Sequence, residues 1–360
     1  MMVMKILDDL GAMKKIDQSN SLGSITAFPQ QLRQNWDQIS KLKTPSECEG
    51  AKNIVVAGMG GSAIGGRIAR SLGEKELKIP FYVNTEYQLP EFVDETSLVV
   101  VASYSGNTEE TLSCLADAKK KKAKIWAMAT GGKLAEEIKG GKIPGFIFAP
   151  KDNYTGYPKT AIGYSLGGIL GILSRLGYLH LKNDSFNHAL VELEKASQDF
   201  LPEASLDENP AKKIASTLVG RIGIFISSEH LQGAAYAIKN QINENAHSQA
   251  LFFDLPEMDH HLIEAFSNLK KAKKDLFYHF INSDLFYSRV KIRYPITQKL
   301  LKKQGFFVAE YNLKSKNKLG QIFETVQLGG LVSFYLSILN NEDPGWEPWI
   351  PFLKKELAKK

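Results

Sequence analysis

A regular alternation of short apolar runs and helical stretches begins near residue 50 and constrains the fold more than any other feature. Runs typical of buried strands, each followed by a glycine- or serine-rich turn or a helical pattern, lie at 53–58, 80–84, 98–104, 124–130 and 146–150. Strands that are apolar throughout indicate a parallel sheet covered by helices on both faces. A second cycle of the same kind has its strands at 221–229, 275–281 and 305–312. The sequence therefore predicts an α/β protein of two three-layer αβα units with parallel sheets.

An acidic stretch bounded by two prolines, residues 202–210, separates the two cycles and is the candidate linker. We expect a helical lead-in over 1–49, a first unit over 50–200, a second over 210–345 and a C-terminal tail over 346–360. A chain of 360 residues has the length that two domains need.

Composition argues against several classes of protein. The net charge of +6 is mild, and the lysine cluster at 119–124 lacks the aromatic residues of a nucleic-acid module. No apolar run reaches the roughly 20 residues of a membrane span, and the N-terminus lacks the pattern of a secretory signal. Cys48 and Cys114 have no metal-ligand spacing. We therefore expect a cytoplasmic protein without disulfides, metal, nucleic-acid partner or membrane contact.

Two polar turns follow strands of the first unit, at the edge where a parallel sheet binds its ligands. They are GMGGSAIGG at 58–66 and SYSGNTEET at 103–111. Each opens a predicted helix, whose free N–H groups and positive dipole end favour an anion. Ser103, Ser105 and Thr108 add uncharged hydroxyl donors, which suit a phosphate monoester.

The first turn, taken alone, also fits a dinucleotide-binding fingerprint. Gly58, Gly60 and Ala63 have the required spacing, and Glu86 follows at the end of the next strand. In the second turn, Thr108 could act as a helix N-cap, a role that is compatible with phosphate binding. The second turn favours phosphate, because a dinucleotide fold has no reason to place Ser-x-Ser-Gly-x-Thr after its third strand.

Four ordered motifs resemble one family. The 103–111 turn resembles the phosphate loop of sugar isomerase (SIS) domains, and the 58–66 turn resembles the first loop of one branch, the bifunctional phosphoglucose/phosphomannose isomerases. The other matching segments are QINENA at 241–246, LPEMDH at 255–260, and DP at 343–344 with LKKEL at 353–357. The matches run from about residue 50 to the end, in the family's order and spacing.

The resemblance implies two SIS-type domains and an aldose–ketose isomerase. The implied reaction converts glucose 6-phosphate, and as a further expectation mannose 6-phosphate, to fructose 6-phosphate through a cis-enediol(ate). Such a reaction belongs to carbohydrate metabolism, in glycolysis or gluconeogenesis. The implied partners are a phosphorylated hexose and a second copy of the chain in a homodimer with a shared active site, and no cofactor is implied.

The resemblance also implies roles for single residues. The residues that would bind the phosphate and the sugar backbone are Gly60, Gly61, Ser62, Ser103, Ser105 and Thr108. Glu244 would be the base that moves a proton between C1 and C2. His260 would assist ring opening from the other subunit, and Lys354 would be a second ring-opening or substrate-contact group.

Residue chemistry agrees with these roles but leaves alternatives. Isomerisation needs a carboxylate base, a proton relay for the ring oxygen and positive charge near the developing oxyanion. From composition alone, Glu244 could be a surface acid and Lys354 a solvated charge. His260 and His261 are adjacent, and we favour His260 because it lies three residues after Glu257, as in the family. The rival functions are a non-catalytic phosphosugar-binding protein and an NAD-dependent oxidoreductase.

Two positions depart from the family pattern. Lys159 stands where the family has an arginine that is thought to stabilise the enediolate; lysine keeps the charge but loses the planar fork. We expect Lys159 to supply the positive charge, with slower turnover or a different sugar preference as possible consequences. Asp259 stands where the family commonly has asparagine.

Overall fold

Two parallel sheets organise the chain in the computed structural model, which describes residues 3–269, 271–357 and 359. The extreme ends of the predicted lead-in and tail, residues 1–2, 358 and 360, lie outside the described residues. The strands of the first sheet, in the order β2-β1-β3-β4-β5, are β1 Asn53–Ala57, β2 Phe81–Asn84, β3 Ser97–Ala102, β4 Lys124–Ala129 and β5 Gly145–Ile147. The strands of the second, in the order β7-β6-β8-β9, are β6 Ile222–Ser227, β7 Ala250–Asp254, β8 Leu276–Asn282 and β9 Phe307–Asn312.

Helices connect the strands and cover both sheets. The α-helices are α1 Leu10–Ile16, α2 Ser21–Thr26, α3 Phe28–Ser40, α4 Gly60–Gly73, α5 Glu109–Lys120, α6 Gly132–Lys139, α7 Ile162–Arg175, α8 Asn183–Ser197, α9 Pro210–Leu218, α10 Gln232–Asn245, α11 Leu262–Ala265, α12 Ser288–Lys303, α13 Lys318–Leu339 and α14 Trp349–Leu357. Short 3₁₀ helices lie at Val3–Asp8, Ser46–Cys48, Pro158–Thr160, Gln198–Phe200, Glu229–Leu231, Glu257–His260, Phe266–Asn268 and Ala272–Asp275. The predicted α/β class with parallel sheets is confirmed.

Alternate residues of the first sheet enter different cores, as the two-residue period of a strand requires. In β1, Ile54 and Val56 point into a large core that also contains residues of the second sheet, of α10 and of α13. Val55 and Ala57 join a smaller cluster with the apolar faces of α5 and α6. Both faces are therefore buried, which explains why the strands are apolar throughout.

The long helix α13 is the core helix of the second unit. Every residue from Leu319 to Leu339 is buried. By length and composition it is the one helix among the described residues that could cross a membrane, and here it lies wholly inside the protein. Burial around its whole circumference is that of a core helix packed on all sides.

The contact between α4 and α10 joins the two units. A Cβ at Gly233 would lie 2.6 Å from the backbone of Arg67 and Ile68, so only glycine permits this approach. The Gly233 amide also donates to Ser71 Oγ at 3.2 Å. Because the start of α10 meets the second half of α4, the helices run antiparallel, and the start of α4 lies towards the end of α10.

Two elements of the second unit differ from the sequence-based prediction. Strand β7, Ala250–Asp254, is absent from the predicted elements: its apolar run of four residues is short, and as an edge strand it is only partly buried. Taken alone, Pro295 predicts a helix that begins there, because proline is favoured at the first helical position, yet α12 begins at Ser288 and contains that proline. Burial of Val290 and Tyr294 holds the helix together against the lost backbone bond.

Candidate functional site

The turn after β3 gathers three predicted phosphate-binding residues. Ser103 Oγ lies 2.9 Å from Thr108 Oγ1 and accepts a hydrogen bond from the Gly106 amide at 3.1 Å. Ser105 Oγ accepts from the Asn107 amide at 3.3 Å. Thr108 occupies the N-cap position of α5, but its hydroxyl makes no capping bond and faces Ser103 instead. The hydroxyls and the first amides of α5 thus share one turn, the arrangement that an anion requires.

A glycine at the centre of this turn is sterically required. Gly106 has a φ of +71°, a region that side chains disfavour, and a Cβ there would lie 1.9 Å from the carbonyl oxygen of Gly131. The backbone of the turn therefore packs directly on the loop that follows β4. This packing fixes the hydroxyls in place without any charged group.

The turn after β1 lies against the first one. Ser62 is buried in the first turn of α4, and its Oγ accepts from the Tyr104 amide at 3.3 Å. Gly60 has a φ of +48°, and a Cβ at Gly61 would lie 3.1 Å from the Pro158 carbonyl oxygen. The six residues predicted to bind the phosphate and the sugar thus lie on two adjacent turns at the carboxyl edge of the first sheet.

Lys159 lies between the two units. It is on the 3₁₀ helix Pro158–Thr160, and its side chain is 1% exposed. Its Nζ donates to the backbone carbonyl of Glu244 at 3.1 Å and forms an ion pair with Glu347 Oε1 at 3.2 Å. Burial lowers the pKa of Lys159, while the carboxylates of Glu347 and Glu244 act in the opposite direction. The ammonium is held by one acceptor at the end of α10 and one in the C-terminal tail, next to the glycine turn of the first unit.

Glu244 lies in the last turn of α10 and is partly buried. Burial raises its pKa to about 7, the charge of Glu347 adds to the increase, and Lys159 and Lys239 oppose it. A carboxylate with this pKa accepts a proton efficiently near neutral pH, because the acid and base forms are both populated. The expectation of a simple surface acid therefore does not describe this residue.

Glu347 was missed by the sequence analysis. It lies between α13 and α14, and its side chain is 12% exposed. One signal could have found it: an acid between two aromatic residues, Trp346 and Trp349, is a poor candidate for a freely solvated charge. In the structure it is a carboxylate close to both Lys159 and Glu244.

His260 lies far from Glu244 along the second sheet. The side chain of Asn243, in the last turn of α10, accepts from the Ala250 amide at the start of β7 at 2.8 Å. His260 follows the other end of β7, and five strand residues span about 16 Å. It is exposed on the 3₁₀ helix Glu257–His260, as is His261 beside it. Within one chain the structure does not bring the predicted base and the predicted histidine together.

Asp259 has a clear structural partner. Its carboxylate accepts from Arg293 Nη1 at 2.9 Å and from Thr297 Oγ1 at 2.8 Å, both on α12. The carboxylate in place of the family's asparagine thus forms an ion pair that fixes the segment next to His260. This departure is explained by local packing.

Lys354 is exposed on α14 and has no ion-pair partner among the residues that the structure describes. The helix also exposes large apolar side chains, which are Trp349, Ile350, Phe352, Leu353 and Leu357. Lys354 is therefore not part of the cluster around Glu244 in the single chain. No group of three His, Cys, Asp or Glu side chains is arranged to hold a metal within the described ranges.

Comparisons with known proteins find relatives that match most of the chain. The family model for the bacterial phospho-glucose isomerase C-terminal SIS domain matches residues 207–357. A bifunctional phosphoglucose/phosphomannose isomerase of Caldicellulosiruptor bescii is 32% identical over 344 residues, which cover 93% of this chain and 98% of that protein. The protein of the same name in Aquifex aeolicus is 33% identical over 325 residues, covering 90% and 94%.

A solved structure shows the likeness of fold. The tagatose-6-phosphate ketose/aldose isomerase of Escherichia coli superposes with a TM-score of 0.70 at 13% identity, over 91% of this chain and 96% of that one.

Proposed function

Because the chain belongs to the bifunctional phosphoglucose/phosphomannose isomerase family, we propose that it interconverts glucose 6-phosphate and mannose 6-phosphate with fructose 6-phosphate. The observation that carries the proposal is the position of Glu244, a carboxyl with a pKa of about 7 next to a buried lysine and the glycine turn. Catalytic residues accompany the binding turn, which favours an enzyme over a sensor.

The reaction follows from the groups in the site. The 103–108 turn and the start of α4 hold the phosphate through hydroxyls and amides. Glu244 removes the proton from C2 of the aldose, which leaves an enediolate, and then returns that proton to C1 while the hydroxyl proton moves from O2 to O1, which gives the ketose. Lys159 supplies positive charge to the oxyanion that develops beside it. Because both C2 epimers give the same enediolate, one base can serve glucose and mannose phosphates.

The remaining roles require a second subunit. We propose a homodimer in which His260 of one chain assists ring opening at the site of the other, with Lys354 as a further substrate contact. The separation of Glu244 and His260 along β7 supports delivery from a partner, because a two-fold axis brings opposite ends of equivalent elements together. The exposed apolar side chains of α14 are a candidate part of that contact.

We also propose a cytoplasmic location and a role in hexose metabolism. The buried thiols of Cys48 and Cys114 are free, which suits a reducing compartment.

The reaction is tested by supplying fructose 6-phosphate and detecting glucose 6-phosphate and mannose 6-phosphate separately with coupled enzymes. Wild type should form product, and Glu244→Gln should fall to near background while still binding the phosphosugar. Glu136→Gln, an exposed carboxylate on α6, is the matched control and should retain full activity. Binding without turnover in wild type would instead identify a sensor, and unchanged turnover in Glu244→Gln would remove Glu244 from the mechanism.

The shared site is tested by mixing two inactive variants, Glu244→Gln and His260→Asn. Random exchange gives hybrid dimers with one intact site, so activity should return to about a quarter of the wild-type value. If His260 acted within its own chain, no hybrid would contain an intact site and the mixture would stay inactive.

A further inference from the structure

Lys159 forms an ion pair with Glu347, a residue that is not among the predicted site residues. The Lys159 ammonium has three donors, and two of them meet Glu347 Oε1 at 3.2 Å and the Glu244 carbonyl at 3.1 Å. The ammonium is almost fully buried, so its position is set by these acceptors. Without Glu347, the Glu244 carbonyl would be the one hydrogen-bond acceptor left to this ammonium among the described residues.

The segment that carries Glu347 is itself anchored on both sides of the site. His247, just after α10, places Nδ1 2.7 Å from Glu342 Oε2 and Nε2 2.8 Å from the Trp346 carbonyl oxygen. Asp343 accepts from Ser19 Oγ at 2.6 Å. These bonds fix the backbone directly before Glu347, so the carboxylate is presented to Lys159 rather than to solvent.

We propose that Glu347 is a positioning residue of the site, which holds the Lys159 ammonium beside Glu244 and keeps that ammonium from neutralising the base. This inference rests on the proposed isomerase reaction. The chain uses lysine where its family has arginine, and a flexible lysine needs a second partner to fix it, whereas a guanidinium fork is rigid by itself. Glu347 supplies that partner.

The electrostatics agree with this role. The groups that act on Glu244 are Glu347, Lys159 and Lys239, and Glu347 is the one that makes ionisation less favourable. Asp343 adds a further negative charge near Lys159. Replacing Glu347 by glutamine removes a like charge from Glu244 and releases Lys159 towards it, and both changes lower the pKa of Glu244.

The test is the pH dependence of kcat for Glu347→Gln. The acid-side midpoint should fall by roughly 0.5–1 pH unit, as removal of a nearby like charge predicts. At pH 8.5, where Glu244 is ionised in both proteins, kcat should fall about tenfold and KM should change less than about threefold, because the phosphate turn is untouched. Glu347→Asp keeps the charge and should keep the wild-type midpoint.

Glu136→Gln is again the control, since it removes an exposed carboxylate on α6 that Lys159 does not contact. A midpoint that does not move in Glu347→Gln overturns the inference, and so does an equal shift in the control. If Glu347→Gln fails to fold because Lys159 is left unpaired, Glu347→Asp replaces it: drawing the carboxylate back from Lys159 should lower kcat at pH 8.5, and a kcat equal to that of wild type would overturn the inference.

A second readout does not require turnover. Titration of the glutamate carboxyl signals by ¹³C NMR, with Glu244→Gln to assign the signal of Glu244, gives its midpoint directly. An inactive wild type would refute the proposed reaction. An unshifted Glu244 signal in Glu347→Gln would refute the role of Glu347, so the two failures are separate results.

Discussion

Replacing the proposed base should stabilise the protein, and the pH dependence of that gain tests its assignment. Burial raises the pKa of Glu244 to about 7 in the folded protein, from 4.5, the ordinary value of a glutamate carboxyl. Between these values the folded state binds more protons than the unfolded state, so the free energy of unfolding falls as pH rises. Above pH 7 the Glu244 carboxylate is ionised in the folded protein, where its burial disfavours the charge and so lowers the free energy of unfolding. Glu244→Gln keeps the shape and removes this penalty.

The magnitude follows from the shift. A difference of about 2.5 units corresponds to about 3 kcal/mol at 1.36 kcal/mol per unit. Scaling the typical entropy of unfolding to 360 residues, this amounts to an increase in Tm of about 4 °C. The gain should be present at pH 8.5 and should vanish near pH 4.5, where the carboxyl is protonated in the folded state.

The assay is thermal denaturation of both proteins at the two pH values, with activity measured on the same samples. Glu136→Gln should change stability by less than about 0.5 kcal/mol at either pH, as exposed substitutions do. If Glu244→Gln is no more stable than wild type at pH 8.5, or if its gain is the same at pH 4.5, the carboxylate is not held in an unfavourable site. The physical basis for its role as base would then be lost.

Three further outcomes are expected. Gly106→Ala should abolish phosphosugar binding, because its Cβ would overlap the Gly131 carbonyl at 1.9 Å; isothermal titration calorimetry would show it, and wild-type affinity would refute the packing argument. Burial lowers the pKa of His279 to about 3, so on acidification the unfolded state takes up the proton first and the wild-type protein loses stability. His279→Phe should therefore lose about 2 kcal/mol less than wild type between pH 6.5 and 4.5, as measured by urea denaturation. Lys159→Met should lower kcat by about 10²-fold or more with a smaller change in KM, measured in the coupled assay, because it removes the positive charge beside the oxyanion; an unchanged kcat would exclude that role.

The first sheet could be predicted closely from the sequence, and the second could not be predicted completely. Strands such as β1 and β3 are buried on both faces, so their apolar runs carry the signal unaided. Strand β7 is an edge strand with partly exposed residues, and its identity depends on pairing with β6. The start of α12 could not be predicted for a related reason, because burial of Val290 and Tyr294 outweighs the local preference of Pro295 for the first turn of a helix.

The residues of the site likewise fall into a group that the sequence predicts to lie together and a group that it does not. The hydroxyl turn is local in sequence, so its residues could be predicted to lie together. Lys159, Glu244 and Glu347 are separated by at least 85 positions, and no local pattern relates Glu347 to the other two. The roles predicted for His260 and Lys354 remain predictions, and the mixture of Glu244→Gln with His260→Asn tests that of His260.

The antiparallel contact of α4 and α10 explains how two units of the chain make one site. The phosphate turn belongs to the first sheet and the base to the second, so their separation depends on how the units meet. Gly233 lets the two helix backbones touch, and a continuous core extends from one sheet to the other. The distance from phosphate turn to base is thus built into the packed core. Since the core fixes the positions of the phosphate turn and of Glu244, the ion pair between Lys159 and Glu347 sets the charge around Glu244. This ion pair lies where the C-terminal segment meets the site.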